Sequence, residues 1–283
     1  MALKRNTLTE CVAEFHQTLS LVNFTASSND AASRRDIARA QQLLNGGNAR
    51  SLMTGAAVVG CDVYEPDPTK TTAVHYGGKL IKGTDTLLLL EESNSQNQSN
   101  AMVDAHEAME TFVKCITATF LYAKRGQIPI NQKDRRAVAS RYGKKAAKEN
   151  TLPYCRQLTN VLASRNCSPL FTLLFKYTSN LQARVARGHF GDHYEIHLAV
   201  EFIRHSKTHA NGRINLESLA GLPKRTQAII RSCVKKSIVH GDGRILPTSK
   251  AIKDLISREA EFAQILYDEL TQELNMQLDY KPN

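Results

Sequence analysis

Apolar residues recur at helical spacing through most of this chain. In the first 45 positions Leu8, Val12, Phe15, Leu19 and Val22 fall three or four apart and predict a helix, which a polar Ala-Ser-Ser-Asn-Asp stretch then interrupts. A second helix is expected through Ile37, Leu43 and Leu44, ending at Gly46-Gly47-Asn48. Between 52 and 90 the texture changes to short apolar or β-branched runs (AAVVGCDVY, TTAVHY, DTLLLL) separated by Pro66, Pro68 and Gly77-Gly78, which predicts a small sheet or an irregular insertion. SNSQNQSN at 93–100 is polar and of low complexity, the pattern of a linker. The chain is thus expected to divide into an N-terminal helical region over 1–92, with short strands, and a helical bundle over 100–283.

Beyond that boundary helices dominate. Met102, Ala105, Met109, Phe112, Val113, Ile116 and Phe120 give 101–123 one broad apolar face, and further helices are expected near 152–163 and 169–187. Ile196, Leu198, Ala199, Val200, Phe202 and Ile203 give 192–212 a buried side, with Asn211-Gly212 as the stop signal. The last helix, near 249–278, starts with a Ser/Thr cap and carries Ile252, Leu255, Ile256, Phe262, Ile265, Leu266 and Leu270 as a stripe. The fold class this implies is mainly α, a helical bundle with a small irregular or β-containing N-terminal segment.

Composition narrows the function without fixing it. With 283 residues, 42% of them hydrophobic, the chain can bury a core, and a formal charge of +10 favours a polyanionic partner. No apolar run reaches membrane-spanning length and the first residues lack a signal-peptide pattern, so a cytoplasmic protein without membrane contact is expected. The six cysteines, Cys11, Cys61, Cys115, Cys155, Cys167 and Cys233, include no Cys-x-x-Cys pair and are expected to be reduced, mostly buried thiols. Lys124, Arg125, Lys133, Arg135, Arg136, Arg141, Lys144, Lys145 and Lys148 form a basic stretch, a solvated face or a track for a phosphate backbone.

The chemistry concentrates where the 192–212 helix ends. Arg204, His205 and His209 ride on its last turns, within reach of one face, so that a cation and an imidazole can address a single phosphodiester. Imidazole exchanges protons near neutrality and arginine presents a planar fork to phosphate oxygens. RNA supplies its own nucleophile: once a base removes the 2′-hydroxyl proton, that oxygen attacks the adjacent phosphorus, and no metal or cofactor is needed. The alternative is a solvated helix terminus whose cations suit the helix dipole.

FIRHSKTHANGRI, closing a core helix in a basic helical region, resembles the HEPN superfamily (higher eukaryotes and prokaryotes nucleotide-binding domain). Its mark is Arg, then Asn, Asp or His, then a short spacer and His; Arg204, His205 and His209 match these positions. The resemblance covers at best 100–278. It implies a helical bundle that pairs two motifs in a homodimer. It also implies metal-independent endoribonuclease activity leaving a 2′,3′-cyclic phosphate, in a toxin or antiviral defence role with an antitoxin or regulatory partner. A second segment, KKSIVHGDGRI at 235–245, echoes RHSKTHANGRI at 204–214, so Lys235 and His240 form an alternative motif with Lys in place of Arg; the two segments also read as a pair of turns. Arg135, Arg136, Arg141, Lys144, Lys145, Arg213 and Arg244 are candidate RNA contacts. The competing function is non-catalytic RNA binding, as in a viral nucleocapsid or an inactive HEPN-like partner; a helical adaptor for an acidic protein is a third.

Other chemistries find less support. His189, His193, His197, Glu201, His205 and His209 lie four apart, and His193, His197 and Glu201 are the best trio for an ion, but a four-residue step drifts about 40° around a helix and HYEIH is not the His-Glu-x-x-His of zinc peptidases, so no metal is expected. Glu110 is an accessory acid or an exposed helical Glu. No glycine-rich phosphate loop occurs.

Overall fold

The computed structural model describes residues 8–46, 83–143, 151–186, 191–237 and 240–276. Among these the protein is mainly α, as the apolar spacing predicts, with ten helices and one two-stranded sheet. The long helices α1 (Thr9–Asn45) and α2 (Gly83–Ala123) pack along each other. Then come α3 (Gln132–Tyr142), α4 (Leu152–Leu162), α5 (Ser168–Tyr177), α6 (Ser179–Ala186), α7 (Gly191–Ala210), α8 (Leu216–Ala220) and α9 (Lys224–Ser232). An antiparallel hairpin of β1 (Val234–Lys236) and β2 (Gly243–Ile245) follows, with Lys235 opposite Arg244, and α10 (Ser249–Glu273) packs against α1, α2 and α7.

Two polar stretches behave differently from what their composition suggests. α1 continues through the Ala-Ser-Ser-Asn-Asp segment, where Ala26 and Asp30 are buried. The reason is a partner for each: Gln98 Nε2 donates to the Ala26 carbonyl at 3.0 Å, and Asp30 accepts from Asn94 Nδ2 at 3.1 Å, from Arg34 Nε at 3.0 Å and from Ser249 Oγ. The expected linker 93–100 is the interior of α2, with Ser95, Gln98 and Ser99 buried. The division between 92 and 100 therefore falls inside one continuous helix. Leu8, just before α1, and Val12, Phe15 and Leu19 of α1 share a single buried cluster with Phe112, Ile116, Phe262 and Leu266.

Smaller differences have local causes. The helix expected over 169–187 splits at Thr178, buried and extended (φ −122°, ψ 110°), into α5 and α6. The strands expected over 52–90 lie mostly outside the described residues, and 83–90 belong to α2; the sheet instead sits at 234–245. Cys11 and Cys115 are joined by a disulfide between α1 and α2, where six reduced thiols were expected, because helix packing brings Cα atoms 104 positions apart to 6.0 Å. Cys155, Cys167 and Cys233 are free and buried, and Cys61 lies outside the described residues. No described helix is long and apolar enough to cross a membrane.

A helix and a linker respond oppositely to proline. Asn97 is exposed within α2, so Asn97→Pro removes a helical hydrogen bond and clashes one turn back. It is expected to lower the unfolding free energy by about 3 kcal/mol in urea titration; an unchanged midpoint would restore the linker.

Candidate functional site

Ile196, Ala199, Val200 and Ile203 anchor α7 in the core, and Asn211 and Gly212 stop it. Asn211 takes a left-handed conformation (φ 48°), Gly212 follows at φ 79°, and the Gly212 N–H reaches back to the Ser206 carbonyl at 2.8 Å. The bond spans six residues, one more than the usual closing bond, because two successive left-handed residues turn the chain back on the helix end.

The echoing segments meet at this end. Ile245 N–H donates to the Gly212 carbonyl at 3.0 Å, and Arg213 bridges Arg244. Asp242, in the hairpin turn, accepts from Arg213 Nε and Arg244 Nε, each at 2.8 Å. The Arg244 bond, against an opposing desolvation and with help from Arg213, holds its carboxyl below the usual range. Arg244 also donates to the Asn211 carbonyl. Rather than rival copies of one helical motif, the segments are two turns laced together: Lys235 lies on β1 and His240 in the turn. His240 N–H donates to Ser237 Oγ at 3.0 Å, and that hydroxyl donates to the buried Glu92 of α2 at 2.6 Å.

The predicted residues separate into groups. His205 and His209 are exposed, with ring centroids 4.7 Å apart. Arg204 is half-buried; its Nε is sealed from solvent without a hydrogen-bond partner, and its charge is among those that hold Glu110 down. On one continuous helix, five steps of about 100° set Arg204 about 140° from His209, whereas His205 and His209 stand about 40° apart. The expected shared face of Arg204 and His209 is thus replaced by a pair of imidazoles. Lys207 bonds Gln96 of α2 at 2.9 Å; burial and Arg244 lower its pKa, with Glu92 opposing.

Among the predicted RNA contacts, Arg213 is exposed, but Arg244 is buried and committed to Asp242 and Asn211, so it serves the turns instead of a ligand. Arg135, Arg136 and Arg141 are exposed on α3, while Lys144 and Lys145 lie outside the described residues. The α7 end attaches to α2 at Gln96, and α3 follows the last residue of α2, Ala123. At 1.5 Å per residue the 27 steps from 96 to 123 span about 40 Å, so the basic helix leaves α2 far from the imidazole pair.

Deeper in α7 lies a polar cluster that its sequence only partly announced. His197 is buried, and its Nδ1 lies 3.1 and 3.3 Å from the two oxygens of Glu259 on α10. Burial opposes a charged imidazole, but Glu259, with Glu201 and Glu110, outweighs it and raises the His197 pKa. His106 of α2 stacks on His197 at 5.3 Å, and its Nε2 lies 3.5 Å from Glu110 Oε1. That contact, first among several, lowers the Glu110 pKa, although burial pulls the other way. Glu110 is accordingly half-buried and engaged, neither exposed nor free. Among the described residues it is not His193, His197 and Glu201 but His106, His197 and Glu259 that converge, with ligand atoms within 4.8 Å of one another. A signal existed: His106 and Glu259 occupy core positions in apolar stripes, four after Met102 and three before Phe262.

The thiols offer no nucleophile here. Burial, reinforced by Glu110 and Glu201, pushes Cys167 up to about 12, and burial also raises Cys155 and Cys233. A groove of about 310 Å³ between α1 and α2 is lined by Glu14, Asp104 and Glu107, the wrong sign for a polyanion. Comparisons of the chain with protein families, with curated proteins and with solved structures each found no match.

The two arginines of the turns should differ in cost. Arg244→Ala removes a buried side chain that ties the Asn211 carbonyl to Asp242 and is expected to cost about 2 kcal/mol in urea unfolding, whereas Arg213→Ala, an exposed pair, costs about 0.5 kcal/mol. Equal effects would refute the assignment of Arg244 to the fold.

Proposed function

We propose that the protein is a metal-independent endoribonuclease of HEPN type whose reactive group is the imidazole pair at the end of α7. One observation carries this reading: two exposed imidazoles 4.7 Å apart stand where exposed Arg213, Lys235 and Lys236 supply positive charge, and Asp242 beside them is already engaged by two arginines. Such a surface attracts phosphodiesters and holds groups that exchange protons near neutrality.

In this reading His209 accepts the ribose 2′-hydroxyl proton as the 2′-oxygen attacks the adjacent phosphorus. The phosphorus–5′-oxygen bond breaks, and the departing oxygen takes a proton, leaving a 2′,3′-cyclic phosphate and a 5′-hydroxyl. His205 is a positioning residue, one helical turn from His209 and in contact with its ring. Arg204 stabilises phosphate charge from the other side of α7. The two residues meet one phosphate when two copies bring their α7 ends together, and the reading therefore includes a homodimer. α3 with Arg135, Arg136 and Arg141 extends the RNA contact at a distance.

Labelled single-stranded RNA incubated with purified protein in excess EDTA tests this. Wild-type is expected to give cyclic-phosphate ends, His209→Ala to lower the rate by about 10²–10⁴, and His240→Ala to leave it nearly intact. Mixing Arg204→Ala with His209→Ala is expected to restore part of the activity, since one mixed site keeps both groups. Intact RNA that still binds with a steep salt dependence, unaffected by His209→Ala, would replace the nuclease by a non-catalytic RNA-binding protein. Absence of binding at physiological salt would reject both.

A further inference from the structure

We propose that His106, His197 and Glu259 form a structural zinc site that fastens α2, α7 and α10 together. The site goes beyond the RNA reading and is independent of it. All three side chains are buried, each 1% exposed, and come from three different helices. Their ligand-type atoms lie within 4.8 Å of one another. Tetrahedral zinc with bonds of about 2.0–2.1 Å sets its ligands about 3.3–3.4 Å apart. His197 Nδ1 and the Glu259 oxygens, at 3.1 and 3.3 Å, already have that spacing. His106 must swing inward by at most about 1.4 Å to complete the set.

The hydrogen bonding of the cluster points to a ligand. His106 Nδ1 is buried without a hydrogen-bond partner, while its Nε2 faces the Glu110 carboxylate at 3.5 Å. That is the division of labour of a metal-bound histidine, one nitrogen for the ion and the other held by a carboxylate. Glu259 has His197 as its one hydrogen-bond partner among the described residues, a single donor for a buried carboxylate with two oxygens. As a simple ion pair the cluster leaves buried lone pairs unused, which is costly; a cation uses them. Two imidazoles and one carboxylate suit zinc, whereas magnesium and calcium favour all-oxygen shells. Phe171 and Phe262 pack on His197 at 4.9 and 6.0 Å and keep bulk water from the site, so that the fourth position left by three protein ligands falls to a single enclosed water. No local spacing advertises these ligands, since His197 and Glu259 alone are 62 positions apart.

Full-length protein purified with a tag that binds no metal, without chelator, is expected to carry about one zinc per chain by mass spectrometry. Glu259→Gln, nearly isosteric, is expected to weaken zinc retention against a chromophoric chelator by at least about tenfold, and His193→Ala, outside the trio, to leave it unchanged. Cobalt substituted for zinc in wild-type protein is expected to show the intense visible bands of tetrahedral coordination, a readout that survives any variant's failure to fold. Zinc-free folded protein that takes up no added zinc chloride, retention undiminished in Glu259→Gln, or an octahedral cobalt spectrum would each overturn the site and leave a buried histidine–glutamate pair.

Discussion

α2 has to hide polar side chains in its middle, and much of the arrangement follows from that constraint. Glu92, Ser95, Gln98 and Ser99 are buried there, and Asn94 and Gln96 are half-buried. Their partners come from different elements: Ser237 from the hairpin, Asp30 and the Ala26 carbonyl from α1, Lys207 from α7. Asp30 in turn receives Ser249 at the start of α10. Each such bond adds only about 1 kcal/mol net, but a buried group left unpaired costs about 1–3 kcal/mol. A sliding of α1, α7 or the hairpin along α2 would break several at once. The seam therefore fixes register more than it adds stability.

That register determines where the proposed RNA surface can form. Lys207 and Ser237 hold the last turn of α7 and the hairpin against the same third of α2, so the two turns have to touch. Once they do, Asp242 is drawn between Arg213 and Arg244, beside the exposed Lys235 and Lys236. A rigid scaffold carrying reactive groups at a helix end and adjoining turns is the usual way to hold a site without exposing the core. The zinc proposal would add a second fastening of α7, from His197 to α2 and α10, roughly two turns before the imidazole pair.

The seam also explains which parts of the structure could be read from sequence. α7 and α10 were clear because apolar period, cap and stop signal agree; Thr248 does cap α10, accepting from the Ala251 N–H at 3.2 Å. SNSQNQSN and Ala-Ser-Ser-Asn-Asp depart from expectation for one shared reason: polarity in sequence does not imply exposure where, as here, each stretch supplies the hydrogen bonds that bury the other. The echo between 204–214 and 235–245 was visible as two similar segments, but only their packing shows that Arg213 and Arg244, equivalent in sequence, divide into one exposed and one buried side chain. The Cys11–Cys115 bond and the meeting of His106 with Glu259 join distant positions, and no local spacing encodes them.

The histidine row on α7 joins these levels. Residues four apart advance about 40° around a helix, so four such steps from His193 to His209 turn about 160°. The row therefore starts in the core and ends in water. His193 lies against Phe262 with its Nδ1 buried, His197 is fully enclosed beside Glu259, and His205 and His209 are exposed. One repeated residue type acquires two chemistries through rotation alone. Enclosed, an imidazole is tied to a carboxylate and contributes to the fold; exposed, it keeps access to substrate and solvent protons. Arg204 lies between the regimes, its Nε sealed and its side chain half-buried, so it can act at the surface only by extending its guanidinium beyond the face that His197 occupies. The drift that disqualifies the row as one metal site is what lets a single helix serve the core over part of its length and present exposed imidazoles at its end.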